Sequence, residues 1–208
     1  MNSIIKQKLL LKLLTIVFIL LLASCAGEPT RQVESSDELG SKASSSNQPI
    51  TKLDRDKYRN GITALNNDEL SKAQRIFIEF IRNKPELAGG YSNLALVYFK
   101  MKDYEKSLKQ VNKALQLNPE QAHALNLRAQ IYIINGEIHK AKDDYLHAIK
   151  VKPKYVNAQY NLALLYDIYL QEIELAIKHY KLYMSLLKKP DEATIDWVKH
   201  LEGTLKDV

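Results

Sequence analysis

Cys25 is the only cysteine in the 208 residues, so neither an intrachain disulfide nor a CxxC-type zinc site is open to this chain. The fold must be held by packing. Its thiol directly follows Leu22-Ala23-Ser24, the small-residue close of an apolar run. His139 and His147 fall on one expected helix, eight residues and hence about 12 Å apart, too far to share a metal whose bonds are about 2 Å. His123, His179 and His200 are scattered along the sequence. No Walker loop, HExxH, GxSxG or GxGxxG string occurs, and the only adjacent glycines, Gly89 and Gly90, fall in an expected turn. No pair of carboxylates or histidines converges by spacing as an acid–base catalyst requires. The sequence therefore offers no catalytic residue, no metal site and no small-molecule or cofactor site. Bases alternate with acids along every expected helix, which describes a solvated surface rather than a nucleic-acid interface.

The elements that position Cys25 can be read from its surroundings. Lys6, Lys8 and Lys12 carry no acidic counterpart within the first 24 residues, and the stretch Leu13 to Leu22 that follows is apolar apart from Thr15. Ten residues are half of the roughly 20 that a membrane-spanning helix needs, so the segment reads as an export signal. Leu22-Ala23-Ser24-Cys25 resembles the lipobox of bacterial lipoproteins, in which a peptidase cuts before a cysteine whose thiol carries a diacylglyceryl group. The resemblance implies that residues 1–24 are a lipoprotein signal peptide and that Cys25 is the first mature residue, bearing a covalent lipid. Two or more acyl chains anchor stably where one holds only marginally. In Gram-negative lipoproteins an Asp after the cysteine retains the protein at the inner membrane. Ala26 stands here, which implies an outer-membrane, lipid-anchored protein facing the periplasm. Residues 25–50 are serine-rich, lack hydrophobic periodicity and read as a flexible linker reaching about 25–30 Å.

The remainder is built for packing. Gly and Pro together number 13, about half their average share, which favours long helices over many short strands. Pro85, Pro119 and Pro153 stand 34 residues apart and Pro190 follows 37 later. Around them small residues recur as Gly61, Ala95, Ala129 and Ala163, then as Ala73, Ser107, Ala141 and Ala176. Aromatic residues recur as Tyr98, Tyr132 and Tyr166, then as Phe77, Tyr145 and Tyr180. This pattern resembles the tetratricopeptide repeat, which implies an all-α solenoid of four helix-turn-helix repeats over 51–189 with a C-terminal capping helix over 190–208. Lys57, Arg128 and Ile138 depart from the repeat pattern, and the fourth repeat is three residues too long. Asp191 is expected to cap the last helix, whose Ile195, Trp197, Val198, Leu201 and Leu205 would cover the exposed end.

In proteins of that kind the first helices of successive repeats line a concave groove. Carried over by repeat position, the residues expected to meet a partner are Tyr58 and Ile62, then Ser92, Leu96, Phe99 and Lys100, then Asn126 and Gln130, then Asn157, Tyr160, Leu164 and Asp167. Arg55, Leu65, Asn66, Gly89, His123, Ile133, Ile134 and Ile168 stand at the same repeat positions, and of all these only Arg55, Lys100, Asn126 and Asn157 could serve a carboxylate clamp. The surface is apolar for a groove and lacks the Lys, Arg and Asn arrangement that clamps a C-terminal carboxylate. It suits an amphipathic helix or an extended apolar peptide. The implied function is a non-enzymatic scaffold for an envelope protein or peptide. It is similar to the pilotin lipoproteins that support type IV pilus secretin assembly, with adaptors of peptidoglycan hydrolases as the alternative and a periplasmic enzyme subunit as the rival of another class.

Overall fold

The structure, a computed structural model, describes residues 49–206. The expected signal peptide, Cys25 and all of the linker before Pro49 lie outside the described residues. Among the described residues nine helices run in order: α1 (Lys52–Asn66), α2 (Leu70–Asn83), α3 (Ala88–Lys100), α4 (Tyr104–Leu117), α5 (Ala122–Ile134), α6 (Ile138–Val151), α7 (Val156–Leu164), α8 (Ile173–Ser185) and α9 (Glu192–Lys206). Over the same residues there is no strand, and no helix is long and apolar enough to cross a membrane.

Each odd-numbered helix up to α7 packs antiparallel on the even-numbered helix that follows, and each pair stacks on the next. The small residues explain the close approach. Ala73, Ala95, Ser107, Ala129, Ala141, Ala163 and Ala176 are all fully buried, and the Ser107 hydroxyl donates to the Ala95 carbonyl oxygen of the facing helix at 2.7 Å. Phe77, Tyr145 and Tyr180 fill the space beside them, each almost completely buried. Pro85, Pro119 and Pro153 each stand two residues beyond a helix end, where the missing N–H and fixed φ stop the helix and turn the chain.

Inside each pair the two helices are joined by a turn through the left-handed region, at Asp68 (φ 59°), Lys102 (φ 62°) and Gly136 (φ 77°). The next amide then reaches back five residues, from Glu69 to Ala64, Asp103 to Tyr98 and Glu137 to Tyr132, at 2.8–2.9 Å. In the fourth pair the left-handed residue is Gln171 (φ 56°), one position late, and the Glu172 amide reaches back six residues to Tyr166. The surplus residue is taken up by a wide π-helical turn, Leu165–Leu170, that continues α7. The other surplus residues fall between Ser185 and Pro190, after α8 has ended. The extra length of the fourth repeat is thus split between a bulge inside its first helix and a longer exit.

α9 closes the C-terminal end. Asp191 caps it, accepting from the Thr194 amide at 3.2 Å and the Thr194 hydroxyl at 2.9 Å. Val198 and Leu201 are buried against the last pair as expected. Trp197 (44% exposed) and Leu205 (37%) are not, which corrects their expected role in covering the end. They lie away from the Thr194–Val198–Leu201 stripe that meets α8.

Candidate functional site

α1 approaches α3 and α3 approaches α5, whereas the second helices make no comparable approach to one another. The Asn161 side-chain amide, donating to Asn126 at 2.9 Å, carries the same face on from α5 to α7, and the expected partner residues can be located on or beneath it.

Three of them are interior. Tyr58 is buried, its hydroxyl accepts from the Asn93 side-chain amide at 2.7 Å, and its ring sits 5.2 Å from that of Phe80. Gly89 allows this, because a Cβ there would stand 2.8 Å from the Tyr58 hydroxyl oxygen. Ile62 is buried in the same region, and Asn126 is buried with its side-chain oxygen accepting from Asn161 at 2.9 Å. Tyr58, Ile62 and Asn126 thus offer no open surface, and Tyr58 and Asn126 join neighbouring first helices instead.

Asp167 also leaves the expected face. It lies in the π-helical turn, where its Oδ2 accepts from the Tyr180 hydroxyl at 3.1 Å and from the Trp197 indole N–H at 2.7 Å. The carboxylate fastens the bulged turn to α8 and α9. Burial, with the Asp167 charge nearby, pushes the Tyr180 hydroxyl far above its ordinary 10. Tyr160 is half-buried, packed against Tyr183 at 4.8 Å and Tyr180 at 5.9 Å. Burial likewise pushes Tyr183 up, and its hydroxyl donates to Asp191 at 2.8 Å.

What remains open is an apolar strip. Leu96 and Phe99 on α3, Ile133 on α5 and Leu164 on α7 are half-buried, while Ile134 (47%) and Ile168 (51%) are exposed. Phe99 is held edge-on by Tyr104 at 5.5 Å. Polar neighbours on this face are largely engaged. The Ser92 hydroxyl donates to the Gly89 carbonyl at 3.2 Å, and the Gln130 amide donates to the Asn126 carbonyl at 3.2 Å. Exposed Lys100 pairs with Asp68 at 2.7 Å. Asn157 is half-buried on the same helix as Leu164.

Two features lay outside the expected site. Arg128, the departure from the repeat pattern on α5, forms a two-pronged ion pair with Asp144 on α6, Nε to Oδ2 at 2.7 Å and Nη2 to Oδ1 at 2.8 Å. It also donates to Asn112 on α4 at 3.1 Å, so one guanidinium links three helices. Asp144 lies sixteen residues after Arg128, on the facing helix of the same pair, and that spacing was the available signal. His179 is buried on α8, hydrogen-bonded through Nδ1 to Gln159 Oε1 at 2.8 Å and stacked on Tyr166 at 5.6 Å. Burial, aided by the Lys178 charge, holds it below its ordinary 6.5. Among the described residues no group of three or more His, Cys, Asp or Glu side chains could hold a metal ion.

Residues 88–121 and 122–155 each match a tetratricopeptide repeat family model. The chain is 31% identical over 80 residues to Protein bimA of Emericella nidulans, an alignment covering 38% of this chain and 10% of that protein. It thus spans about a tenth of that curated relative's length. The structure is similar to TTC0263, a thermophilic tetratricopeptide protein of Thermus thermophilus, with TM-score 0.61 and 19% identity over 71% of this chain and 80% of that one. It is also similar to the first tetratricopeptide domain of Spaghetti (RPAP3) bound to the HSP90 peptide SRMEEVD, with TM-score 0.52 and 18% identity over 55% of this chain and 90% of that one. The described body is an all-α tetratricopeptide-repeat solenoid of four helix pairs closed by α9.

Proposed function

We propose that this protein is a non-enzymatic scaffold, anchored by lipid at Cys25 to the outer membrane and facing the periplasm, that holds an envelope protein on the first-helix face. The observation that carries the binding half is the strip Leu96, Phe99, Ile133, Ile134, Leu164 and Ile168, six apolar side chains on three successive first helices with water access. Exposed apolar residues that recur on one face, flanked by satisfied polar groups, mark interaction surfaces. A peptide bound to a domain of the same fold supports a peptide or helix as the guest. The guest we assign differs in chemistry from an acidic tail, because the strip is apolar and lacks the Lys, Arg and Asn arrangement of a carboxylate clamp. The anchoring half rests on the lipobox resemblance at Leu22-Ala23-Ser24-Cys25. Support of type IV pilus secretin assembly is the specific role we assign within this class.

Two experiments test the halves separately. Metabolic lipid labelling with membrane fractionation should label the parent protein and not Cys25→Ala; a parent without label refutes the anchor. Pull-down from envelope extract should recover a partner with the parent and lose it with Phe99→Ala, at matched helix content by circular dichroism. Retention of the same partners by both proteins refutes the first-helix face as the binding surface.

A further inference from the structure

Beyond α1, which exposes Lys52, Arg55 and Arg59, the two faces of the solenoid differ in charge. On α3, α5 and α7 with its π-helical turn, Lys100 is the only exposed charged residue. On α2, α4, α6 and α8 ten exposed bases stand against four exposed acids. Some of those bases are spoken for: Lys72 and Lys106 pair with Glu69 and Asp103 at 2.6 Å, Lys140 pairs with Glu137, and Lys181 pairs with Glu202 at 2.6 Å. Arg75, Arg82, Lys109, Lys113, Lys150 and Lys178 make no ion pair among the described residues. They occur on each of the four second helices, and all six are exposed.

Interleaved with them are exposed aliphatic side chains: Ile78 on α2, Leu146 (40%) on α6 and Leu182 on α8. No Phe, Tyr or Trp is exposed on these four helices. That combination separates the candidate polyanions. Single-stranded nucleic acid is held by aromatic stacking platforms beside the positive groove, and no such ring is exposed on this face. Flexible lysines with aliphatic stems, set among Ile and Leu, match an anionic bilayer, where the charges meet headgroups and the methyl groups reach the acyl boundary.

We propose that the second-helix face of α2, α4, α6 and α8 docks on an anionic lipid surface, so that the first-helix face stays turned to the aqueous side. Charge complementarity carries the inference. It stands on the described helices alone and does not depend on a partner being held by the apolar strip.

The test uses the full chain as Cys25→Ala, with one introduced cysteine carrying a polarity-sensitive dye, either Leu146→Cys on the second-helix face or Ile134→Cys on the first-helix face. Both are mixed with vesicles of pure phosphatidylcholine or with about one-third phosphatidylglycerol. The dye at position 146 should shift to the blue on the anionic vesicles only, and the shift should fade in high salt. The dye at position 134 should not shift. Adding Lys109→Glu, Lys113→Glu and Lys150→Glu should weaken the position-146 response roughly a hundredfold or more in apparent affinity, because each surface base contributes about fivefold. These positions are exposed, so circular dichroism should be unchanged. Equal shifts on both vesicle types, equal shifts at both positions, an unaffected triple variant, or a response to a DNA duplex but not to vesicles would each overturn the proposal. Partner capture by Phe99 is not read in this assay, so its failure and that of the scaffold reading remain distinguishable.

Discussion

Replacing Arg128 with Leu supplies the residue type that Leu94 and Leu162 show at the same repeat position, and yet it should destabilise the protein. Asp144 is 7% exposed and loses two charge-assisted hydrogen bonds of 2.7 and 2.8 Å when the guanidinium goes. Stripping one partner from a fully buried ion pair costs about 3–5 kcal/mol. Arg128 keeps 23% of its side-chain surface, so water can reach the site and the loss should be about 2–3 kcal/mol. Asp144→Leu should cost a similar amount, since it leaves the guanidinium with Asn112 and the Tyr132 ring alone. The double variant Arg128→Leu with Asp144→Leu should return to within about 1 kcal/mol of the parent, because a well-packed apolar pair commonly equals a buried ion pair. Urea denaturation of the four proteins completes a double-mutant cycle, and the coupling should amount to about 3 kcal/mol or more. Single variants at parental stability, or a double variant as weak as the sum of the two, would refute the reasoning.

Ala129→Leu inserts three carbons at a fully buried position of α5 facing α6, and overpacking of this kind costs about 1–3 kcal/mol; an unchanged denaturation midpoint would mean that the helix pair is not closest there. Gln121 is 2% exposed with its side-chain oxygen unpartnered among the described residues, while Leu87 and Tyr155 occupy the same repeat position in its neighbours, so Gln121→Leu should raise stability by about 1 kcal/mol in the same assay. His179 is held below 6.5 in the folded state, so the unfolded chain binds its proton first. Stability should be full above about pH 6.5 and fall as the pH drops from there towards the folded value, and this slope should disappear in His179→Gln by thermal denaturation between pH 8 and 5.

The repeat was legible because it is written in residues whose types are forced. Only small side chains fit where α5 meets α6, which gives Ala129 and Ala141 their positions, and only a helix stop explains Pro119 and Pro153 at matching points. Length arithmetic located the irregular fourth repeat, but a surplus of one residue does not say whether it enters a loop or a helix. It enters the helix as Leu165–Leu170, and the altered winding turns Asp167 from the open face to Tyr180 and Trp197. Tyr58 and Asn126 were misplaced for a different reason. Repeat position gives the direction of a side chain from its own helix and not the distance to the next, and Gly89 together with Asn161 closes that distance. The charge on the second helices was hidden as well. Along the sequence, acids such as Glu69, Asp103 and Glu137 alternate with lysines, and only the three-dimensional pairing shows which lysines they neutralise.

Site-specific photo-crosslinking in intact cells addresses the binding face most directly. A photoreactive residue at Ile134, 47% exposed on the first-helix strip, should form a discrete protein adduct on illumination, and Phe99→Ala in the same chain should abolish it. The same residue at Leu146 on the opposite face should form none. Adducts from position 146 with none from position 134 would contradict the assignment of the first-helix face as the surface that holds a partner.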